Sequence, residues 1–233
     1  RFRRLDGAFD RSLAGLRRCR DLGVKVGVRF TLTADSHLDQ NTSPAQYERV
    51  LARIRDERPD LHIDLGDTFM VDKHASREAA AAQYRQQHHY FGQLGVPVFL
   101  VQGNHDGEDQ KLRRQGEGNL ADWAHAMRVR HFPSPSLDMP GQTYRQPQDP
   151  DAPSGGLQSR YAFQWGDALF VVLEPYWSGQ KGRAAERWQL TLGTAQQAWL
   201  RQTLESSSAK HKFIFIHQLA GGIDRHGRGG VEG

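Results

Sequence analysis

The sequence lacks several features that would place it in a specialised class of protein. It contains a single cysteine, Cys19, so no disulfide can form within the chain, and this residue is interpreted as a small core side chain. No apolar run approaches the roughly 18 residues of a membrane-spanning helix, so no span is predicted. A leader pattern is also missing, but the chain begins at Arg1, so a processed or truncated N-terminus is expected and the compartment stays open.

A continuous basic surface of the kind that binds nucleic acid is missing as well. The net charge is +4 over 233 residues, a balance that favours anionic ligands such as phosphate esters. The arginines form short scattered clusters without interleaved aromatic residues. A nuclease or a nucleic-acid-binding phosphodiesterase is therefore an alternative, but not the favoured one.

The first hundred residues alternate between helical and extended patterns. Helical spacing of apolar residues covers residues 9–20, 43–58 and 75–94, and strand patterns cover residues 24–34, 61–65 and 96–101. Ser43 and Pro44 form a helix start, with a capping side chain followed by proline at the first helical position. The alternation predicts an α/β fold in which crossover helices join parallel strands.

Residues 107–160 break this alternation. A helix is predicted near residues 119–130, and a long loop rich in Pro, Gly and Ser follows it. Structureless loops of this length are usually functional lids or disordered. The segment is interpreted as an insertion or lid within a single domain covering residues 1–233.

Regular patterns return after residue 160. Two short apolar runs flank Gly166-Asp167, which predicts a hairpin over residues 161–173. A capping box at Thr194 predicts the start of another helix, and residues 212–216 are predicted to form the last strand.

Polar side chains follow the strands of the first half at the point where each strand ends. These residues are Asp35, His37, Asp67, Asn104 and His105. A turn that merely caps the next helix would explain one such group. It does not explain polar groups at three successive strand ends. Because the carboxyl ends of parallel strands meet at one edge of a sheet, these groups are expected to lie close together. His217 follows the last strand in the same way.

The residue types at these positions suit a metal centre. The oxygen and nitrogen donors are Asp35, His37, Asp67, Asn104 and His217. A carboxylate can bridge two cations, and imidazole suits zinc, iron or manganese. Two cations about 3.5–4 Å apart can clamp a phosphate ester and activate a shared water. His105 lies next to a ligand and could protonate a leaving oxygen.

Four motifs occur in the order and strand context of a known superfamily. They are Asp35-x-His37, Gly66-Asp67, Gly103-Asn104-His105-Asp106 and His217 after an apolar strand. Over about residues 24–217 the chain resembles the calcineurin-like metallophosphoesterases. The resemblance implies two packed mixed β-sheets flanked by helices, in a four-layer α/β/β/α arrangement, with two Mn, Fe or Zn ions at the strand ends.

The same resemblance implies a role for each site residue. The ligands of one metal are Asp35 and His37, those of the other are Asn104 and His217, and Asp67 bridges the two. The resemblance makes His105 the catalytic histidine. A hydroxide shared by the metals would attack phosphorus while His105 assists the leaving group. The implied activity is hydrolysis of phosphate mono- or diesters, with the substrate and the oligomeric state left open.

The sequence departs from the family pattern at its end. The family usually closes with a Gly-His-x-His motif that gives one ligand to each metal, and no such motif follows His217. The sequence is therefore expected to be a C-terminally incomplete version of a longer protein. If it is complete, a non-catalytic scaffold with an incomplete metal site is the alternative.

A second departure concerns the position three residues after the bridging Asp67. Protein phosphatases of the superfamily carry an Asp three positions after the bridging Asp, and purple acid phosphatases have a metal-binding Tyr in their motif. Met70 stands at this position. We therefore expect neither variant, and Asp106 is left as a candidate to orient His105.

Three other sets of polar residues are interpreted more simply. His62 and Asp64 share one face of a strand. They are predicted to be structural residues whose polar groups are satisfied by partners within the fold. His88 and His89 lie on a polar helix and are predicted to be at the surface. Glu174, at the end of the hairpin, is a weaker candidate for reaching the site.

Overall fold

A computed structural model of the protein describes residues 18, 21–23, 27–39, 41–108, 112, 118–135, 158–176 and 192–217. Nearly all of the helix predicted over residues 9–20 lies outside the described residues, as does most of the loop predicted after residue 132. Within the described part, no helix is long and apolar enough to cross a membrane.

The described residues form helices and strands in alternation. The helices are α1 (Pro44–Asp56), α2 (Arg77–Gly92), α3 (Leu120–His131) and α4 (Gly193–Ser206). The strands are β1 (Phe30–Thr33), β2 (Leu61–Asp64), β3 (Val98–Leu100), β4 (Tyr161–Trp165), β5 (Ala168–Val172) and β6 (His211–Phe215). A short 3-10 helix, Val71–Lys73, lies between β2 and α2.

Capping explains where three of the helices begin. The Ser43 side chain accepts a hydrogen bond from the Gln46 N–H at the start of α1, as predicted. Ser76 does the same for α2 through Ala79, and Asn119 for α3 through Asp122.

The start predicted for α4 is wrong. This helix already begins at Gly193, so Thr194 lies within the helix and not at the cap position. Leu192 occupies the cap position and provides no side-chain hydrogen bond.

The first sheet is parallel throughout its described strands, in the order β1-β2-β3. In its register Phe30 is opposite Leu61, and His62 is opposite Val98. Parallel pairing confirms the βαβ interpretation of the first hundred residues. Of the strand predicted over residues 24–34, residues 24–26 lie outside the described residues, and within the described part β1 covers Phe30–Thr33.

The second sheet is mixed and has the order β4-β5-β6. Strands β4 and β5 are antiparallel and turn at Gly166-Asp167, as predicted for the hairpin. Strand β6 then pairs in parallel with β5, which places His217 beyond the end of the sheet.

Side-chain alternation in β5 divides the core. Phe170 and Val172 belong to a cluster that also contains Leu61 and Ile63 of the first sheet. Leu169, on the opposite face of β5, belongs to a cluster with Trp199 of α4. Burial of such a side chain contributes roughly 1.5–3 kcal/mol, so these faces fix the register of the strand.

The third cluster joins the helices that connect the first sheet. It contains Leu51 of α1, Tyr84 and Phe91 of α2 and Ala124 of α3. His62 of β2 faces this side, with its ring centroid 5.7 Å from that of Phe91. The packing of these helices on the first sheet directs the loops that flank them toward the ends of the strands.

Candidate metal centre

Main-chain hydrogen bonds fasten the loops after β1, β2 and β3 to one another. The Asp35 N–H donates to the Gly66 carbonyl at 3.0 Å, and the His37 N–H donates to the Asp67 carbonyl at 2.9 Å. The third loop joins the second through Val71, whose N–H donates to the His105 carbonyl at 3.0 Å. The predicted convergence of the three strand ends is therefore present in the structure.

Three of the predicted site residues have an unfavourable backbone conformation. Asp35, His37 and Asp67 have φ values of 56°, 52° and 51°, in the left-handed region that residues with a side chain seldom adopt. Such conformations cost about 1–3 kcal/mol each and persist where surrounding contacts enforce them, frequently at functional sites.

Two glycines allow the loops to approach this closely. A Cβ atom on Gly103 would lie 2.1 Å from the Asp67 nitrogen, and one on Gly66 would lie 2.7 Å from the Gly103 nitrogen. Any larger residue at Gly103 would push the second and third loops apart.

Asp67 lies at the centre of the predicted ligands. Its side chain is 5% exposed, and Oδ1 accepts a hydrogen bond from the His105 N–H at 2.9 Å. The other oxygen, Oδ2, lies 3.8 Å from Nε2 of His37 and 3.6 Å from Nε2 of His217. One carboxylate oxygen therefore faces two imidazole rings that come from different parts of the chain.

The orientation of His217 is fixed by the main chain. Its Nδ1 donates to the Leu65 carbonyl at 2.9 Å, so a neutral ring presents its lone pair at Nε2. Nε2 lies 3.2 Å from Oδ1 of Asn104. Two acceptor atoms that face each other at this distance suit a shared cation, and a histidine held by its second nitrogen is typical of metal ligands.

The remaining predicted ligands border this group. Asp35 is more exposed, and its Oδ1 lies 3.7 Å from Nε2 of His37. Ligand atoms of Asp35, Asp67 and His217 all lie within 4.8 Å of one another. Carboxylate, imidazole and amide donors fit hard to borderline divalent cations, so the residues present fit a metal centre.

His105 is paired with a carboxylate that the sequence did not indicate. Its Nδ1 lies 3.0 Å from Oδ1 and 3.1 Å from Oδ2 of Asp72, which belongs to the 3-10 helix. The ring centroid is 5.6 Å from that of His37. His105 thus stands next to the ligand group, with Nδ1 engaged and Nε2 left for another partner.

The expectation that Asp106 orients His105 is wrong. Asp106 is buried under the loop, where its carboxylate accepts hydrogen bonds from the N–H groups of Gly103 (2.6 Å), Phe69 (2.8 Å) and Asp67 (3.1 Å). Burial, followed by repulsion from Asp67, raises the pKa of Asp106, and the N–H donors oppose that shift. Its role is to hold the loops together.

His62 and Asp64 are structural partners, as predicted. The Thr33 hydroxyl donates to Asp64 at 2.6 Å, so it accepts from Nε2 of His62 at 2.8 Å. Nδ1 of His62 then accepts from the Thr31 hydroxyl at 2.8 Å. Burial lowers the pKa of His62 to about 4, which keeps the ring neutral at physiological pH.

Glu174 lies behind the site. It is buried, and its Oε1 accepts a hydrogen bond from the N–H of Tyr176. The ring of Tyr176 lies 6.2 Å from that of His217. Glu174 therefore shapes the segment that packs beside a predicted ligand.

Sequence reasoning also missed polar residues that support the loops from α2. Gln83 and Gln87 are buried and reach the loop after β1, and their spacing of four residues on the buried face of a helix was the available signal. Asp72 gave no comparable signal, because the 3-10 helix that turns it toward His105 has no sequence period of its own.

Comparison with known proteins supports one family. A family model for calcineurin-like phosphoesterases matches residues 28–229, a range that includes every helix and strand described above. No curated protein matches the chain.

Proposed function

Because the chain belongs to the calcineurin-like phosphoesterase family, we propose that it is a metal-dependent hydrolase of phosphate mono- or diesters. The observation that supports this most directly is the position of Asp67, whose Oδ2 faces Nε2 of both His37 and His217. A carboxylate that faces two imidazoles from separate loops is suited to bridging two cations.

The proposed ligands fall into two groups around this carboxylate. Asp35 and His37 would hold one cation, Asn104 and His217 would hold the other, and Asp67 would be shared. Cations bound there would neutralise charge on the phosphoryl oxygens and lower the pKa of a coordinated water. The partial exposure of Asp35 leaves one side of the group open to a substrate from solvent.

His105 is the proposed proton donor to the leaving oxygen. Asp72 accepts the Nδ1 proton, which fixes the ring orientation and leaves Nε2 to carry the proton that is transferred. The main chain of His105 is also fixed, since its N–H donates to Asp67 and its carbonyl accepts from Val71. The proton donor is thereby tied to the shared ligand.

We further propose that the packing clusters belong to an α/β/β/α arrangement within one domain, with residues 107–160 inserted in it. The base of this segment supports that interpretation. Glu108 accepts from Nη2 of Arg128 at 3.0 Å, and Nη1 of Arg128 donates to the Gln158 carbonyl at 3.1 Å. These buried contacts close the segment where it leaves and re-enters the fold.

The function is tested by measuring metal content and hydrolysis on the same preparation. Metal analysis after loading with Mn²⁺ or Zn²⁺ is expected to give close to two ions per chain, with hydrolysis of 4-nitrophenyl phosphate or its bis-ester. A chain that binds metal but hydrolyses neither ester would contradict the catalytic assignment. Binding of no metal would contradict the centre itself and favour a scaffold.

A further inference from the structure

Helix α2 carries a buried polar side chain toward two of the ligand loops. Gln83 is 3% exposed and shares its helix face with the buried residues Ala80 and Gln87. A buried amide is costly unless both its donor and its acceptor are used, so the partners of Gln83 show what the residue does.

Those partners lie on two separate loops. Nε2 of Gln83 donates to the carbonyl of His37 and to that of Leu38, the latter at 3.2 Å. Oε1 accepts from the Met70 N–H at 2.9 Å and lies 3.1 Å from Nε2 of His74. One side chain therefore joins the loop after β1 to the segment on either side of the 3-10 helix.

Both loops need such support. His37 and Leu38 have φ values of 52° and 48°, so the loop after β1 is held in a conformation that it would not adopt alone. Met70 immediately precedes the 3-10 helix that carries Asp72. A shift of either loop would change the distance from His37 to Asp67 or from Asp72 to His105.

We propose that Gln83 is a positioning residue for the metal centre, setting the spacing between the His37 loop and the Met70 segment and hence the affinity for the cations. The metal part of this inference rests on the function proposed above. An amide suits the position because it is the side chain of this length that offers both donor and acceptor. Glutamate would keep the acceptor and lose the donor, and methionine would lose both.

The test compares two variants with a matched control. Gln83→Met and Gln83→Glu are each compared with Gln196→Met. Gln196 is equally buried, and it bonds in the same way to main-chain atoms of Glu174, away from the His37 loop. Affinity for Mn²⁺ is measured by calorimetric titration of the metal-free chain, and thermal unfolding of the same samples reports the general loss of stability.

Gln83→Met is expected to weaken Mn²⁺ binding by about 10–100-fold, the usual effect of removing a group that supports metal ligands. Gln196→Met is expected to lower the unfolding temperature by a similar amount but to weaken Mn²⁺ binding much less, because Gln196 contacts Glu174, behind the site, and neither of the loops that Gln83 joins. Equal affinities for Gln83→Met and Gln196→Met would overturn the proposal and make Gln83 a purely structural residue.

A second measurement does not depend on metal. Exchange of the Met70 amide hydrogen in the metal-free chain is expected to be slow in the wild type and in Gln83→Glu, which keeps the acceptor, and fast in Gln83→Met. Slow exchange in Gln83→Met would overturn the loop-spacing role. A wild-type chain that binds no Mn²⁺ would instead refute the proposed function, while this exchange pattern would still decide whether Gln83 joins the loops.

Discussion

Asp72 and His105 are 33 residues apart in the chain, and a carboxylate oxygen of the first lies 3.0 Å from Nδ1 of the second. The pair forms because the Val71 N–H donates to the His105 carbonyl and places the 3-10 helix alongside the third loop. Two other positions do not orient His105: Met70 has no carboxyl group, and the carboxylate of Asp106 is buried and accepts from main-chain N–H groups. The geometry assigns the orienting role to Asp72.

If Asp72 orients His105, its removal should affect difficult leaving groups most. Asp72→Ala is expected to lower kcat on an alkyl phosphate more than on 4-nitrophenyl phosphate, because nitrophenolate departs with little need for a proton. Asp72→Asn should recover part of the loss, since its amide oxygen can still accept the Nδ1 proton. Lys73→Ala is the control, because Lys73 touches Asp72 only at 3.6 Å and is itself exposed. An equal loss on both substrates would refute proton-transfer positioning.

His105→Ala tests the proton donor directly. Turnover on an alkyl phosphate is expected to fall about 10²–10⁴-fold, the usual contribution of a positioned acid. Metal content, measured by elemental analysis, should stay at the wild-type level, because the proposed ligands are its neighbours and not His105 itself. Loss of one metal in this variant would make His105 a ligand.

Asp67→Asn should abolish binding of both metals together. The amide keeps the size of the side chain and its bond to the His105 N–H, but it lacks the negative charge that two cations would share. Calorimetric titration with Mn²⁺ is the measurement, with Asp35→Asn as the comparison, since a ligand to one cation should weaken one site more than the other. Retention of one tightly bound ion in Asp67→Asn would contradict the shared role.

Gly103→Ala is expected to destabilise the fold as well as the site. The added Cβ would lie 2.1 Å from the Asp67 nitrogen, and the resulting overpacking should cost about 1–3 kcal/mol or more in the free energy of unfolding. Gly92→Ala is a matched control in α2, where a Cβ would meet no atom within 4 Å and should stabilise by about 0.5–1 kcal/mol. Chemical denaturation of both variants checks the contrast.

The convergence of the proposed ligands could be predicted from sequence because they follow strands whose apolar pattern is regular. Asp67 comes directly after a buried run. Because the carboxyl ends of parallel strands lie at one edge of a sheet, the polar residues that follow them are expected to converge there. Asp72 and Gln83 could not be assigned in this way. Their roles depend on how the 3-10 helix and α2 pack across the loops. The spacing of Gln83 and Gln87 places both on one face of α2, but it does not show that this face meets a ligand loop.

The same limit applies to the ends of elements. Alternation of apolar and polar residues continued from Val24 to Ala34, but pairing with β2 extends only over Phe30–Thr33 in the described residues. At α4, the sequence contains a capping box at Thr194 that the helix does not use, because the helix begins at Gly193 with Leu192 at the cap position. Both differences lie at the ends of elements, which local sequence preference determines least well.

His62 gives a prediction about pH that is independent of catalysis. Burial lowers its pKa from 6.5 to about 4, so the folded state binds fewer protons than the unfolded state between these values. The free energy of unfolding should therefore be retained above pH 6.5 and fall as the pH drops toward 4. One pKa unit corresponds to about 1.4 kcal/mol, so the contribution of His62 alone is about 3 kcal/mol.

Urea denaturation between pH 4 and pH 7 measures this slope, and His62→Gln isolates it. The variant should be less stable at pH 7, because the hydrogen bonds with Thr31 and Thr33 are altered, but its stability should depend less on pH. Other buried groups titrate in both proteins, so the difference between the two curves reports His62. Parallel curves would mean that His62 is protonated in the folded state without a loss of stability. The hydroxyls of Thr31 and Thr33 would then accommodate the charge.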